Sequence, residues 1–126
     1  MKTAGIILAG GQSRRMNGSD KALLPFGTGR LIDHIHQRLA RQLPVLALNT
    51  NNDPAHFRDL GIPIIPDEIA GYAGPLAGIL AGMEWASTHS DGFSHILTVA
   101  TDTPFFPDDL CEKLSQQIAD APDRIV

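Results

Sequence analysis

The apolar run Ala4–Ala9, AGIILA, stops abruptly at Gly10-Gly11. A short continuous apolar run closed by glycine marks a strand buried on both faces, the environment of a parallel sheet. Comparable runs recur at Pro44–Asn49 (PVLALN), Ile62–Ile65 and Ser94–Thr101 (SHILTVAT). Between them the apolar spacing turns helical. Leu31–Leu43 carries Leu31, Ile32, Ile35, Leu39, Ala40 and Leu43, the 3.6-residue pattern of a helix with one buried face. Leu76 to about Thr88 and Pro107–Ala119 repeat that pattern, the latter with Leu110, Leu114 and Ile118 on one face. Asp53–Leu60 reads as a short helix, with Asp53 as cap, Pro54 at the first position and Gly61 at the end. No clear hairpin turn signal interrupts the alternation. The expectation is an α/β domain over 1–126 with a Rossmann-like, mostly parallel sheet sandwiched by helices. Arg124–Val126 opens a further apolar run that breaks off, so the C-terminal part of the fold is expected to be missing.

Composition narrows the function classes. With 43% hydrophobic and 19% charged residues the chain is globular. A net charge of −4 without a Lys/Arg run argues against a nucleic-acid partner. The single cysteine, Cys111, excludes an internal disulfide and a four-cysteine zinc site, and fits a reducing, cytoplasmic setting. Cys111 lies in a helical run, where packing is its expected role. No apolar stretch approaches the roughly 20 residues that span a bilayer, so no membrane partner is expected. The histidines His34, His36, His56, His89 and His95 show no metal-site spacing, and surface or packing roles are expected of them.

In open α/β sheets ligands bind beyond the carboxyl ends of the strands. The residues there are Gly10, Gly11, Arg14, Arg15 and Lys21 after the first strand, and Asn49 and Asn51 after the second. Asp67 follows the third, and Asp102 and Thr103 the fourth. The glycines allow close backbone approach to a phosphate, and their N–H groups can form an anion-binding concavity. Arg14 or Arg15 can grip phosphate through two parallel hydrogen bonds. Lys21 can place a point charge near an α-phosphate, and Asp102 is a hard oxygen ligand suited to Mg²⁺. Each residue has a plainer reading as well. A Gly-Gly after a strand is often only a turn, paired arginines only a solvated face, and a strand-ending Asp only a cap. The loop matches neither the dinucleotide fingerprint nor the Walker pattern. It is longer than the 2–6 residues typical of such connections, which points to function.

LAGGQSRRMNGSDKALLPF at Leu8–Phe26 resembles the signature loop of the nucleotidyltransferases that include sugar-phosphate nucleotidyltransferases and the molybdenum cofactor guanylyltransferases (MobA-type). GPLAGI at Gly74–Ile79 and TDTPF at Thr101–Phe105, in that order, resemble the guanylyltransferase branch. The resemblance implies a nucleotide-diphospho-sugar transferase-like fold and transfer of GMP from GTP to a molybdopterin-type cofactor, with Mg²⁺ and release of pyrophosphate. It implies that Leu8, Ala9 and Gly10 contact the guanosine part, with Gly11 in the same loop. Arg15, the arginine of the RM pair, and Lys21 would meet the phosphates, while Asn49 and Asp67 line the nucleotide site. Gly74, Pro75 and Leu76 would form the wall near the base, and Asp102 would bind Mg²⁺ and nucleotide. Arg15, Lys21 and Asp102 are thus the expected catalytic residues. Partner proteins would be those of molybdenum cofactor biosynthesis or the receiving apoenzymes.

The sequence departs from the family at Asn17, where glycine is commoner after RM. It also lacks the later NVNTPE-like element that helps complete the metal site, together with acceptor-binding surface. Missing strands would expose a sheet edge and apolar helix faces. A related transferase acting on a sugar or alditol phosphate, one using CTP, or a non-catalytic nucleotide-binding fragment remain alternatives.

Overall fold

In the computed structural model, residues 2–9, 21–67 and 75–121 are described, Lys21 and Pro75 by their backbone alone. The chain runs β1 (Thr3–Leu8), a 3₁₀ turn (Lys21–Leu23), β2 (Pro25–Phe26), β3 (Gly29–Arg30), α1 (Leu31–Ala40) and β4 (Leu46–Asn49). A 3₁₀ helix (Pro54–Leu60), β5 (Ile64–Ile65), α2 (Pro75–Thr88), β6 (His95–Ala100) and α3 (Leu110–Asp120) follow. Four strands form one sheet in the order β5-β4-β1-β6, and every pairing in it is parallel. Leu8 sits level with Asn49 on one side and Ala100 on the other.

The sheet is covered on both faces, which is why β1 reads as unbroken apolar sequence. Ile7, Leu46, Leu48, Leu97 and Val99 pack with Leu31, Ile32, Ile35 and Leu39 of α1, and Leu110 and Leu114 of α3 join them. Ile6 points the other way and meets α2, where a Cβ added at Gly82 would lie 3.0 Å from Ile6 Cγ1. That opposition is the period-2 alternation of a strand between two helical layers. β6 forms one edge of the sheet among the described residues. Beside that edge lies an apolar groove of about 700 Å³, lined by Met83, Phe93, Ile96, Leu110, Leu114 and Ile118 among others.

The short 3₁₀ helix is built as its sequence suggests. Asp53 Oδ1 accepts a hydrogen bond from Ala55 N at 3.0 Å, and Gly61 closes the helix in the left-handed region at φ 69°. Several boundaries move inward. α1 ends at Ala40 rather than Leu43, yet Leu43 stays in the core, its N–H still bonded to Leu39 O at 3.0 Å. α3 begins at Leu110, because Pro107 heads a turn in which Leu110 N donates to Pro107 O. The expectation of no hairpin is corrected: β2 and β3 pair antiparallel around Gly27-Thr28, with Gly27 at φ 61°. The signal was legible, since a two-residue loop opening with glycine favours a tight hairpin. The apolar start at Arg124–Val126 lies outside the described residues.

Candidate functional site

The carboxyl ends of the parallel strands gather the polar residues onto one rim. Ala9 N donates to Asn49 O at 2.9 Å, and Thr101 N to Leu8 O at 3.3 Å, so β1 is tied on both sides where the glycine loop leaves it. Asn49, the last residue of β4, is 1% exposed. Its Nδ2 donates to Ile65 O at 3.1 Å and to Asp67 Oδ1 at 2.9 Å. Asn51 closes the arrangement from the other side. Its Nδ2 donates to Asp67 Oδ2 at 2.9 Å, while its Oδ1 accepts from Asp67 N at 2.8 Å. The Asp67 carboxylate is therefore held by two amide side chains, and each of its oxygens keeps a lone pair for a further donor.

α2 closes this corner from the opposite face. A Cβ at Gly78 would collide with Asn49 Oδ1 and lie 3.1 Å from Leu8 Cδ2. Glycine there lets the helix backbone settle directly onto the ends of β1 and β4. Gly78 and Asn51 are the positions the sequence reading undervalued. Gly78 lay inside the GPLAGI segment, but its helical setting one turn before Gly82 carried the information. Leu76, expected in the wall near a base, is exposed at the start of α2.

Asp102 lies two residues beyond the end of β6 and is exposed. The turn carrying it is fastened by Thr103, whose N and Oγ1 both donate to Ala100 O, at 3.2 and 3.3 Å. Lys21 opens the 3₁₀ turn that leads to the hairpin. Of the sequence-predicted residues, Leu8, Ala9, Asn49, Asp67 and Asp102 thus fall at the carboxyl ends of the four strands. Gly10, Gly11, Arg15 and Gly74 lie outside the described residues, and Lys21 and Pro75 are placed by backbone only.

Mg²⁺ fits the donor chemistry of this rim. It is commonly held by one or two carboxylates together with phosphate oxygens. An exposed carboxylate at Asp102 meets that need. Among the described residues no group of three His, Cys, Asp or Glu is placed to hold a metal ion on its own. No helix of the described residues is long and apolar enough to cross a membrane.

A parallel sheet with helices on both faces and a polar rim at its carboxyl end defines a doubly wound α/β domain, whose candidate ligand site lies beyond the strand ends. Comparison with known proteins agrees. The fold is similar to CMP:2-keto-3-deoxy-manno-octonic acid synthetase complexed with CTP, with a TM-score of 0.78 at 18% identity, covering 98% of this chain and 49% of that one. It is also similar to a cytidylyltransferase from Leptospira borgpetersenii, with a TM-score of 0.70 at 20% identity, covering 99% and 52%. Residues 5–126 match the model of the MobA-like NTP transferase domain, and the chain belongs to that family. It is 49% identical over 122 residues to a protein of Mesorhizobium japonicum named molybdenum cofactor guanylyltransferase, covering 97% of this chain and 58% of the relative. A Bradyrhizobium protein of the same name is 45% identical over 111 residues, covering 88% and 52%. The chain thus spans little more than half the length of these relatives.

Proposed function

We propose that the chain supplies the GTP side of a guanylyltransferase that transfers GMP from GTP to a molybdopterin-type cofactor, with pyrophosphate leaving. The observation that carries this reading is the rim itself, where a fastened carboxylate at Asp67 and an exposed one at Asp102 flank the end of β1. The names of the relatives favour GTP and the molybdenum cofactor over the CTP and sugar-phosphate alternatives.

Asp67, pinned by Asn49 and Asn51, would present fixed acceptors to hydroxyl or amine donors of the nucleoside. Leu8, Ala9 and Gly10 would bring the backbone close to it, with Gly74, Pro75 and Leu76 along its other side. Gly11, Arg15 and Lys21 would face the phosphates, and Asp102 would hold Mg²⁺ there. The metal supplies charge neutralisation on the triphosphate when bound. A terminal phosphate oxygen of the acceptor attacks the α-phosphorus of GTP and the bond to pyrophosphate breaks. An ionised phosphate nucleophile needs no general base. The protein's part is positioning and electrostatic stabilisation. Acceptance of the finished cofactor by biosynthetic proteins or apoenzymes belongs to the same proposal, as does a cytoplasmic setting.

The test is calorimetry with GTP, CTP, ATP and UTP in the presence of Mg²⁺. GTP alone should bind well. A preference for CTP would move the chain to the cytidylyl branch, and silence with all four would sink the nucleotide reading. In an enzyme assay Asp102→Ala should lower turnover by about 10²-fold or more, the scale of losing one transition-state charge partner. Circular dichroism should show the fold intact, and undiminished turnover would refute the role of Asp102.

A further inference from the structure

The turn that carries Asp102 is anchored on both sides. On either side of Asp102, Thr101 is tied to Leu8 and Thr103 back to Ala100. Downstream, Phe106 is buried in the core. The Arg38 guanidinium lies 5.9 Å from the centre of its ring, and Arg38 Nη1 donates to Phe106 O at 3.1 Å and to Asp108 Oδ1 at 3.0 Å. Between these anchors stands Phe105, 71% exposed. So little burial gives it a small part in core stability.

Its ring nevertheless has a defined setting. It lies 5.4 Å from Phe26 at 51° and 5.8 Å from His34 at 69°, and those two rings are 4.8 Å apart at 55°. All three spacings are those of favourable tilted or edge-to-face pairs. His34 Nε2 is shielded from water and makes no hydrogen bond among the described residues. A packing role explains that ring better than a polar one.

The cluster joins segments that are distant in sequence. Phe26 lies in β2, five residues after Lys21, and His34 lies in the first turns of α1. The start of α1 is itself tied to this stretch, since Leu31 N donates to Leu24 O at 2.9 Å. The rings therefore connect the segment leaving the Lys21 turn with the segment leaving Asp102. Under the nucleotide reading, on which this inference rests, those are the two charged ends that must close on one triphosphate.

We infer that Phe105 is a positioning residue for the nucleotide site: packed on Phe26 and His34, it sets the Asp102 turn against the Lys21 segment. Its effect is felt only by a ligand that engages both ends. Nucleotide binding with Mg²⁺ depends on Asp102 and Lys21 together, whereas binding in EDTA draws on the Lys21 side alone.

The test is calorimetry of GTP, with Mg²⁺ and again in EDTA, on the unsubstituted chain, Phe105→Ala, Phe105→Tyr, Phe26→Leu and the Phe26→Leu/Phe105→Ala pair. Phe105→Ala should weaken Mg²⁺-dependent binding by about three- to ten-fold, the worth of one or two aromatic contacts. Binding in EDTA and the thermal midpoint should stay near those of the parent, and Phe105→Tyr should restore affinity to within about two-fold. The double variant should lose less than the product of the two single losses, because the partners form one contact. Parent-like Mg²⁺-dependent binding by Phe105→Ala, equal losses with and without Mg²⁺, or multiplicative losses would overturn the inference while leaving the nucleotide reading standing. Failure of the unsubstituted chain to bind any nucleotide would overturn both.

Discussion

Asn49 does two jobs with one amide. It satisfies the Ile65 carbonyl at the end of β5 and it fixes the Asp67 carboxylate. Neither acceptor is abandoned without it, because Thr50 N also reaches Ile65 O at 3.2 Å and Asn51 still holds the other oxygen of Asp67. Asn49→Ala should therefore cost about 2 kcal/mol in urea unfolding, two modest hydrogen bonds rather than a stranded buried charge. Nucleotide affinity should fall further than stability suggests, since Asp67 loses the tether that aims it. A variant with parent-like GTP affinity would show that Asp67 needs no aiming.

Helix α2 is held to the sheet by what it lacks. Gly78 and Gly82 turn bare backbone toward Asn49, Leu8 and Ile6. Two effects compete in Gly78→Ala. Alanine gains about 1 kcal/mol of helix propensity over glycine, but the new methyl group must displace a buried amide, an overpacking cost of about 1–3 kcal/mol. The collision should win, giving a net loss of stability and a lowered thermal midpoint, together with weaker GTP binding. A gain in midpoint would mean that α2 can slide outward freely.

The start of α1 has a different fastening, and it sets the response to acid. Arg30 Nε and backbone N both donate to Asp33 Oδ2 at 3.0 Å, and Arg30 Nη2 bonds Asp33 Oδ1 and both Asp59 oxygens at 2.8–3.0 Å. The Arg30 side chain hydrogen bond holds the Asp33 carboxyl below its ordinary 3.8, against an opposing push from burial. On the same helix, burial holds His36 below its ordinary 6.5, although the Asp33 and Asp59 carboxylates pull the other way. Both folded-state values are depressed, so both groups contribute stability that is present above their unfolded values and lost as pH falls through the folded ones. Stability should thus decline in two stages, first below about 6.5 and then below about 3.8. Urea midpoints across pH would show His36→Gln removing the upper stage and Asp33→Asn the lower. A flat profile between pH 7 and 5 would contradict the His36 assignment.

At the scale of the whole molecule, most of the frame was legible from hydrophobic periodicity alone. Continuous apolar runs marked the strands because helices cover both sheet faces, and the parallel order then placed Asn49, Asp67 and Asp102 on one rim. What escaped depended on contacts between segments far apart in sequence. The β2–β3 hairpin is the exception, a local contact whose Gly27 signal was there to be read but whose strands are only two residues each. Gly78 read only as one residue of a helical run, because its importance comes from Asn49, which lies far from it in sequence. The Phe26, His34 and Phe105 cluster draws one residue from each of three segments, so no spacing along the chain foretells it. Among the described residues, exposed Leu80 and Met83 on α2 and the groove beside β6 put apolar surface on that side of the sheet.

The placement of β1 also carries a meaning in time. β1 is flanked by β4 on one side and by β6 on the other, so its second neighbour is translated only after β4 and β5. While the intervening chain is being made, β1 can gain β4 but must wait for residues 95–100. Pairings across such sequence distances come late and slowly, because the loops they close must first be ordered. The end of β1 is thus synthesised well before the strand that leads to Asp102.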